Sequence, residues 1–262
     1  MHLQEQNWSY LYDDITTEEI AWHGIWTVYS PAKEFVNSYQ GVRRFRANED
    51  KTVIYQSNTY TYPNGRVQEQ SWQIDKQSCN QPDGVTHPHI LTARALSFGA
   101  GVNAWISQKV DLGKYFNVEL FFRYQDWRTS VAIIYYEEDC HLEKIYHIRE
   151  YRGSFPQEPA GLELENISGN WKGKKESKTP DLQVSASEIP ELVLAPIGGK
   201  NETFFLPDGI VVNIPKSLKV NEAFEIVAGK LVAENQFNRL TVQYDDSGAF
   251  TRLISEVFGK VE

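Results

Sequence analysis

Two runs of the chain place charged and aromatic side chains at every second position. In residues 118–124, Glu119, Phe121 and Arg123 fall on one side of an extended backbone, and Val118, Leu120, Phe122 and Tyr124 on the other. In residues 143–151 the same alternation groups Ile145, His147, Arg149 and Tyr151. Turned into a cavity, His147, Glu119 or Arg123 would supply the titratable group that a lyase or isomerase needs. An inward arginine would also require an anionic partner, either a ligand carboxylate or an internal glutamate. Turned outward, the same residues form a solvated exterior, and the more apolar 118/120/122/124 face favours that arrangement. Alternation cannot settle the matter, because a shift of one residue exchanges the two faces.

The remaining chemical signals are weaker. His87-Pro88-His89 has a spacing that metals use, but it lies in a turn-rich stretch without a third ligand and reads as a surface loop. Cys140 and His141 are neighbours that a strand would point to opposite faces, so they make no nucleophile–base pair. Glu137-Glu138-Asp139 reads as a hairpin tip in solvent. Neither a Gly-x-Ser-x-Gly elbow nor a His-Glu-x-x-His helix is present. Gly99-Ala100-Gly101-Val102-Asn103-Ala104 fits a dinucleotide fingerprint in letters, but no amphipathic helix follows it, so it reads as a glycine-rich turn. The basic run Lys172–Lys178 reads as a solvated strand end. No metal, cofactor or catalytic residue is expected from these patterns.

The elements that must carry these residues are strands. Gln6–Trp22 is the helical candidate of the first half, with Trp8, Tyr12 and Ile15 near helical spacing, and Thr16–Glu19 offers the cap of a short second helix. Thereafter residues 52–62, 118–124, 131–137 and 143–151 alternate with period two and are rich in β-branched and aromatic types. Turn chemistry separates them at Pro63-Asn64-Gly65, Pro82-Asp83-Gly84, Asp111-Leu112-Gly113, Pro207-Asp208-Gly209 and Asp245–Gly248. Short strands with no long helices between them predict a mostly β protein of antiparallel barrels or sandwiches.

The chain also repeats itself. Gly24-Ile25-Trp26 recurs as Gly169-Asn170-Trp171, and Tyr62-Pro63-Asn64-Gly65 recurs as Leu206-Pro207-Asp208-Gly209. Tyr136, Leu142, Lys144 and Ile145 match Tyr244, Phe250, Arg252 and Leu253. On this reading the extra length of the first copy falls between its Pro63 turn and its last hairpin. Two domains are expected, residues 1–153 and 154–262, joined by a proline-bearing linker.

A Gly-x-Trp at the start of a first strand resembles the lipocalin and wider calycin pattern. Glycine would let the chain turn into the barrel, the indole would plug the closed end, and a cation from the last strand would stack on it. Gly24, Trp26, Gly169 and Trp171 are the structural residues on this reading, with Arg149 or Arg152 and Lys260 as the cations. Trp22–Pro31, Asn58–Gly65 and Ser71-Trp72 are further similar to a cyanobacterial lipocalin-like family that has no assigned function. The resemblance implies two lipocalin-like β-barrels in tandem behind a short N-terminal helical segment, and it transfers no catalytic residue.

Composition narrows the partners. The 262 residues carry 26 basic and 35 acidic side chains, a net charge of −9, which disfavours a nucleic-acid surface. Two cysteines cannot staple a chain this long and read as reduced thiols. The first residues lack signal-peptide character and no apolar run approaches the roughly 20 residues of a membrane span, so a cytoplasmic protein is expected. The tryptophans and tyrosines are concentrated before residue 154, with six of the 7 tryptophans and 13 of the 14 tyrosines. Aromatics with polar tips line cavities for flat, partly polar molecules, and they also fill cores. The leading expectation is a small hydrophobic or amphipathic ligand in the first barrel, touched by Asn58, Tyr60, Trp72, Phe121, Arg123, His147 and Arg149. A lyase or isomerase acting on a tetrapyrrole or oxidised lipid is one alternative. The other is a protein-interaction module in which Phe204-Phe205, near the Pro207 turn, would be an exposed patch, although strand core is the preferred reading of that pair.

Overall fold

The computed structural model describes residues 2–16, 20–156, 164, 170–189 and 201–261. A helix, α1 (Leu3–Tyr12), precedes eleven antiparallel strands: β1 (Ile20–Tyr29), β2 (Phe35–Ala47), β3 (Val53–Thr61), β4 (Val67–Asp75), β5 (Asn80–Gln81), β6 (Gly84–Thr86), β7 (Ala93–Gly99), β8 (Val102–Ser107), β9 (Phe116–Tyr124), β10 (Trp127–Tyr135) and β11 (Leu142–Arg152). A single turn of helix, α2 (Lys76–Cys79), links β4 to β5. The strands lie in the order β4-β3-β2-β1-β11-β10-β9-β8-β7-β6-β5, a nearly closed barrel sheet. The second sheet holds β12 (Asn170–Lys178), β13 (Val184–Ile189), β14 (Asn201–Leu206), β15 (Ile210–Pro215), β16 (Phe224–Ala233), β17 (Gln236–Tyr244) and β18 (Phe250–Val261), ordered β13-β12-β18-β17-β16-β15-β14. The mostly β architecture read from alternation and turns is the one observed.

By packing, the chain forms two compact units. Residues 1–107, 117–133 and 144–157 make the first, and residues 108–116, 134–143 and 158–262 the second. Among the described residues, no helix is long and apolar enough to cross a membrane.

The helical reading of residues 6–22 is corrected at its C-terminal end. The helix stops at Tyr12, and Ile20–Trp22 already belong to β1. Asp13 and Asp14 follow directly, and carboxylates oppose the negative end of a helix dipole. Of the Thr16–Glu19 segment expected to open a second helix, Thr17–Glu19 lie outside the described residues. Trp8, Leu11 and Tyr12 of α1 pack with Trp22, Phe45, Ile54, Ile74, Val85 and Ala95. Those residues come from strands near both ends of the sheet, so the face they share is the barrel interior, and α1 closes one end of it. Asn7 fixes the helix there, donating to Ala95 O at 3.1 Å and accepting from Ser97 N at 2.9 Å.

The repeat is deeper than the sequence matches suggested, and one of those matches is displaced. In both sheets the first strand of the copy pairs with the last, β1 with β11 and β12 with β18. The turn at residues 206–209 joins β14 to β15, whose place in the second sheet is that of β7 and β8, not of β3 and β4. Its counterpart is therefore Phe98–Gly101, 108 residues earlier, the same offset as the final hairpins. Positive φ recurs at that offset: Ala100 and Asp208, Gly101 and Gly209, Gly113 and Asn221, Cys140 and Gly248. The extra strands of the first copy are therefore β3 to β6, between β2 and β7, and the Pro63 turn lies within that added stretch instead of preceding it. Inside the second unit the hairpin segments exchange equivalent hydrogen bonds. Phe250 N donates to Gln108 O as Leu142 N donates to Lys216 O, and Val110 N donates to Gly248 O as Leu218 N donates to Cys140 O.

Candidate functional site

The pairing register decides which side chains enter the first barrel. Trp22, Gly24 and Trp26 of β1 stand opposite Arg43, Gly41 and Tyr39 of β2. Gly41, Arg43 and Phe45 stand in turn opposite Tyr60, Asn58 and Gln56 of β3, which oppose Gln68, Gln70 and Trp72 of β4. On the other flank Gly24 opposes Glu150. All these residues share the face that carries the α1-plugged core.

Charge fills the middle of this interior. Arg43 lies 3.3 Å from Glu119 and 3.4 Å from Glu150, and Arg128 lies 2.7 Å from the other oxygen of Glu150. Ser130 donates its hydroxyl to Glu119 at 2.8 Å. Two guanidiniums meet two carboxylates, so the quartet is neutral as a set. Burial by itself would lower the pKa of Arg43, but Glu150 and Glu119 outweigh it and hold the guanidinium above its ordinary value. The faces assigned to β9 are thereby corrected: Glu119, Phe121 and Arg123 point inward. Val118, Leu120 and Phe122 are also buried, so the strand is covered on both sides and apolarity could not discriminate.

Beyond the quartet, away from α1, aromatic rings gather. Trp26 stacks on Tyr39 with 6.2 Å between centroids, Tyr60 meets Trp26 edge-on at 5.5 Å, and Tyr62 lies 4.8 Å from Tyr39. Burial raises the phenol pKa of Tyr39 and of Tyr60. A polar ladder runs beside the rings. Gln56 donates to Asn58, Asn58 donates to the Tyr60 hydroxyl at 2.9 Å, and Tyr62 donates to Gln68 at 3.1 Å. Asn58 is buried, whereas Tyr39, Tyr60, Tyr62 and Gln68 are half-buried and Gln70 is exposed. The interior thus opens to solvent along the start of β4.

Trp26 does not plug the closed end. That place belongs to Trp22, with Trp8 packed in the same core. Gly24 sits in mid-strand without positive φ, and its missing Cβ leaves room for the Glu150 side chain and the Trp26 ring. The cations over the indoles come from other strands than expected: Arg43 of β2 lies 5.0 Å from Trp26 and Arg128 of β10 4.6 Å from Trp22. In the second unit Trp171 is buried with Leu231, Phe237 and Phe258. The cation there is Arg239, 5.4 Å from Phe258 and 2.5 Å from Glu256, while Lys260 is the exposed strand partner of Trp171. Gly169 lies outside the described residues.

The other candidates separate. Asn58 and Tyr60 meet at the open mouth. Phe121 is inward and buried near Arg128, and Arg123 reaches the α1 end, where it pairs with Asp14 and lies 5.4 Å from Trp22. His147 and Arg149 oppose Thr27 and Ile25 and occupy the other sheet face, apart from the quartet. Trp72 lines a seam: its ring lies 5.3 Å from His87, which lies 5.2 Å from Trp105 of β8. His87 does lie in the connection from β6 to β7, as a loop residue, but its half-buried ring turns into this seam while His89 stays exposed. Its Nδ1 accepts from His89 N and Ile90 N, and burial first, then His89, pulls its pKa down to about 4. Among the described residues no three His, Cys, Asp or Glu side chains cluster as metal ligands would.

Residues 4–155 match the N-terminal domain of a family described as a domain of unknown function, DUF3598. The chain belongs to the DUF3598 family. Residues 198–257 of this DUF3598 protein are in addition similar to the C-terminal domain of a biogenesis factor required for ATP synthase 1. A crystal structure of a DUF3598 protein of unknown function from Nostoc punctiforme is 15% identical, with a TM-score of 0.73 over 97% of this chain and 99% of its own, which shows a shared fold. Kievitone hydratase from Nectria haematococca is 8% identical over 99% of this chain and 92% of its own, with a TM-score of 0.23. An AttH-like protein from Nitrosomonas europaea is 9% identical over 99% and 96%, with a TM-score of 0.21. At those scores neither likeness supports a functional argument. No curated protein matches the chain in sequence.

Proposed function

We propose that the first unit binds a small, flat, electrically neutral molecule with polar edges, between the aromatic rings at the open end of its barrel. The observation that carries this reading is the inner face of β3 and β4, where Asn58, Tyr60, Tyr62 and Gln68 line an interior only partly closed to water. Trp26, Tyr39 and Tyr60 offer ring faces, and the amides and hydroxyls of the ladder orient a ligand's polar edge. Neutrality follows from the quartet beneath. Glu119 and Glu150 already answer Arg43 and Arg128, so a ligand carboxylate would compete with internal partners. The acid–base alternative has less support, because Glu119 is committed to Arg43 and Ser130, and His147 lies on the other face.

Fluorescence titration tests the reading with Nile red as a neutral flat probe and anilinonaphthalene sulfonate as an anionic one. Nile red binds saturably and the sulfonate more weakly, and Tyr60→Ala or Tyr39→Ala weakens Nile red at least tenfold. A tighter sulfonate, or Nile red binding indifferent to both substitutions, contradicts it.

A second reading concerns the second unit. Phe205 is 71% exposed beside the fully buried Phe204. Together with the likeness of residues 198–257 to a biogenesis factor, this supports a protein contact at Phe205. Photo-crosslinking from position 205, with position 204 as the silent control, tests it.

A further inference from the structure

The outer face of the first unit's sheet carries a second concavity, a groove of about 570 Å³. Two rows of side chains wall it. Arg44, Ser57 and Ser71 stand opposite one another across β2, β3 and β4, and two residues along the strands Arg46, Tyr55 and Gln73 do the same. Phe45, Gln56 and Trp72, which lie between the rows along the strands, and Ala21 of β1 complete the lining. Positions i and i+2 of a strand are roughly 7 Å apart and point to one face, so both guanidiniums overhang the same groove. These are outward residues, on the face opposite the quartet and the aromatic mouth.

The lining is one-sided in charge. The chain has 35 acidic residues, yet among the described residues no carboxylate lines the groove, whose walls bring two guanidiniums, two serine hydroxyls, a phenol and a primary amide. Among the described residues neither Arg44 nor Arg46 forms an ion pair with a carboxylate, whereas Arg43, Arg94, Arg123, Arg128 and Arg239 all do. The Arg46 guanidinium lies over the Tyr55 ring, 4.4 Å from its centroid. A stacked guanidinium is weakly hydrated and keeps its donor fork oriented. The positive potential is felt nearby, since the His23 pKa is lowered first by burial and then by Arg44.

We propose that this groove binds a phosphate group, held by the guanidinium forks of Arg44 and Arg46 and by the Ser57 and Ser71 hydroxyls. Phosphate matches the donor set, because a guanidinium fork presents two parallel donors to two of its oxygens and hydroxyls reach the others. A soluble phosphate monoester and a phospholipid headgroup share this chemistry, and the site lies open enough for either. It is independent of the neutral ligand assigned to the barrel interior.

The test is calorimetric titration of the full chain with glycerol phosphate, beside sedimentation with phosphatidylcholine vesicles that do or do not contain phosphatidic acid. Saturable binding of glycerol phosphate marks a soluble ligand, and binding only to phosphatidic acid vesicles marks a headgroup. Either supports the proposal provided that Arg44→Ala/Arg46→Ala weakens it at least tenfold and Lys172→Ala leaves it unchanged. Arg46→Lys retains part of the affinity, since it keeps the charge and loses the fork. Both arginines are exposed, so the double variant keeps the wild-type thermal transition. Absence of binding to both probes, or affinity unaltered by the double substitution, overturns the proposal.

Discussion

The Trp26 indole lies across Gly41 of the neighbouring strand, so close that a Cβ on Gly41 would fall 2.3 Å from the ring. Gly41 is itself the cross-strand partner of Gly24, and the pair of glycines makes the flat bed on which the indole rests beneath Arg43 and beside Tyr39 and Tyr60. The Gly-x-Trp sequence is therefore a packing device on the barrel's inner face.

Gly41→Ala forces the indole off this bed. Overpacking of this kind costs about 1–3 kcal/mol, and urea unfolding followed by tryptophan emission reads both the loss and the displaced ring. Unchanged stability and emission would show that the ring can move freely.

Removing one member of the quartet strands the others. Glu150→Gln leaves Arg43 and Arg128 with half of their compensation in a dry interior, and breaking a buried pair typically costs about 3–5 kcal/mol. Chemical denaturation gives the value. A loss below about 1 kcal/mol, the scale of a surface pair, would mean that water reaches the site.

The seam at His87 makes stability depend on pH. Its folded value of about 4 lies below the ordinary 6.5, so the fold prefers the neutral ring. Stability from this group is whole above pH 6.5 and declines by about 3 kcal/mol as the pH falls toward 4. His87→Gln flattens that part of the wild-type curve. Parallel curves for the two proteins from pH 7 to pH 4 would place His87 in solvent.

The two phenylalanines of β14 differ by side alone. Phe204→Ala empties a fully buried position and costs about 3–5 kcal/mol, whereas Phe205→Ser changes stability by less than about 0.5 kcal/mol. Thermal unfolding of both separates them, and equal losses would contradict the strand's assigned faces.

These contrasts show what the sequence made legible. Period-two runs and Asx-Gly or Pro-Asn-Gly turns located β3, β9, β10 and β11 to within a few residues, because alternation and turn chemistry are local properties. The β2 strand escaped, since Arg43-Arg44-Phe45-Arg46 reads as a charged surface until register shows Arg43 facing Trp22. The inner quartet joins β2, β9, β10 and β11, and Arg43, Arg128 and Glu150 have no signal in any one segment. Tyr39, Gly41, Arg43 and Phe45 do alternate, and that pattern in β2 was the available clue. For β9, burial on both sides removed the contrast by which the inner face would be chosen. Offset matching failed at the Pro207 turn because similar turn residues serve different hairpins, and only sheet order separates them.

Native mass spectrometry with an absorption spectrum, on protein purified gently from its own cells, tests the binding role most directly. The structure leads us to expect a neutral small molecule retained by the wild-type chain and by Arg44→Ala/Arg46→Ala, and lost from Tyr60→Ala. A bare chain mass in the wild type, or a bound molecule indifferent to Tyr60→Ala, would contradict a ligand site at the aromatic mouth.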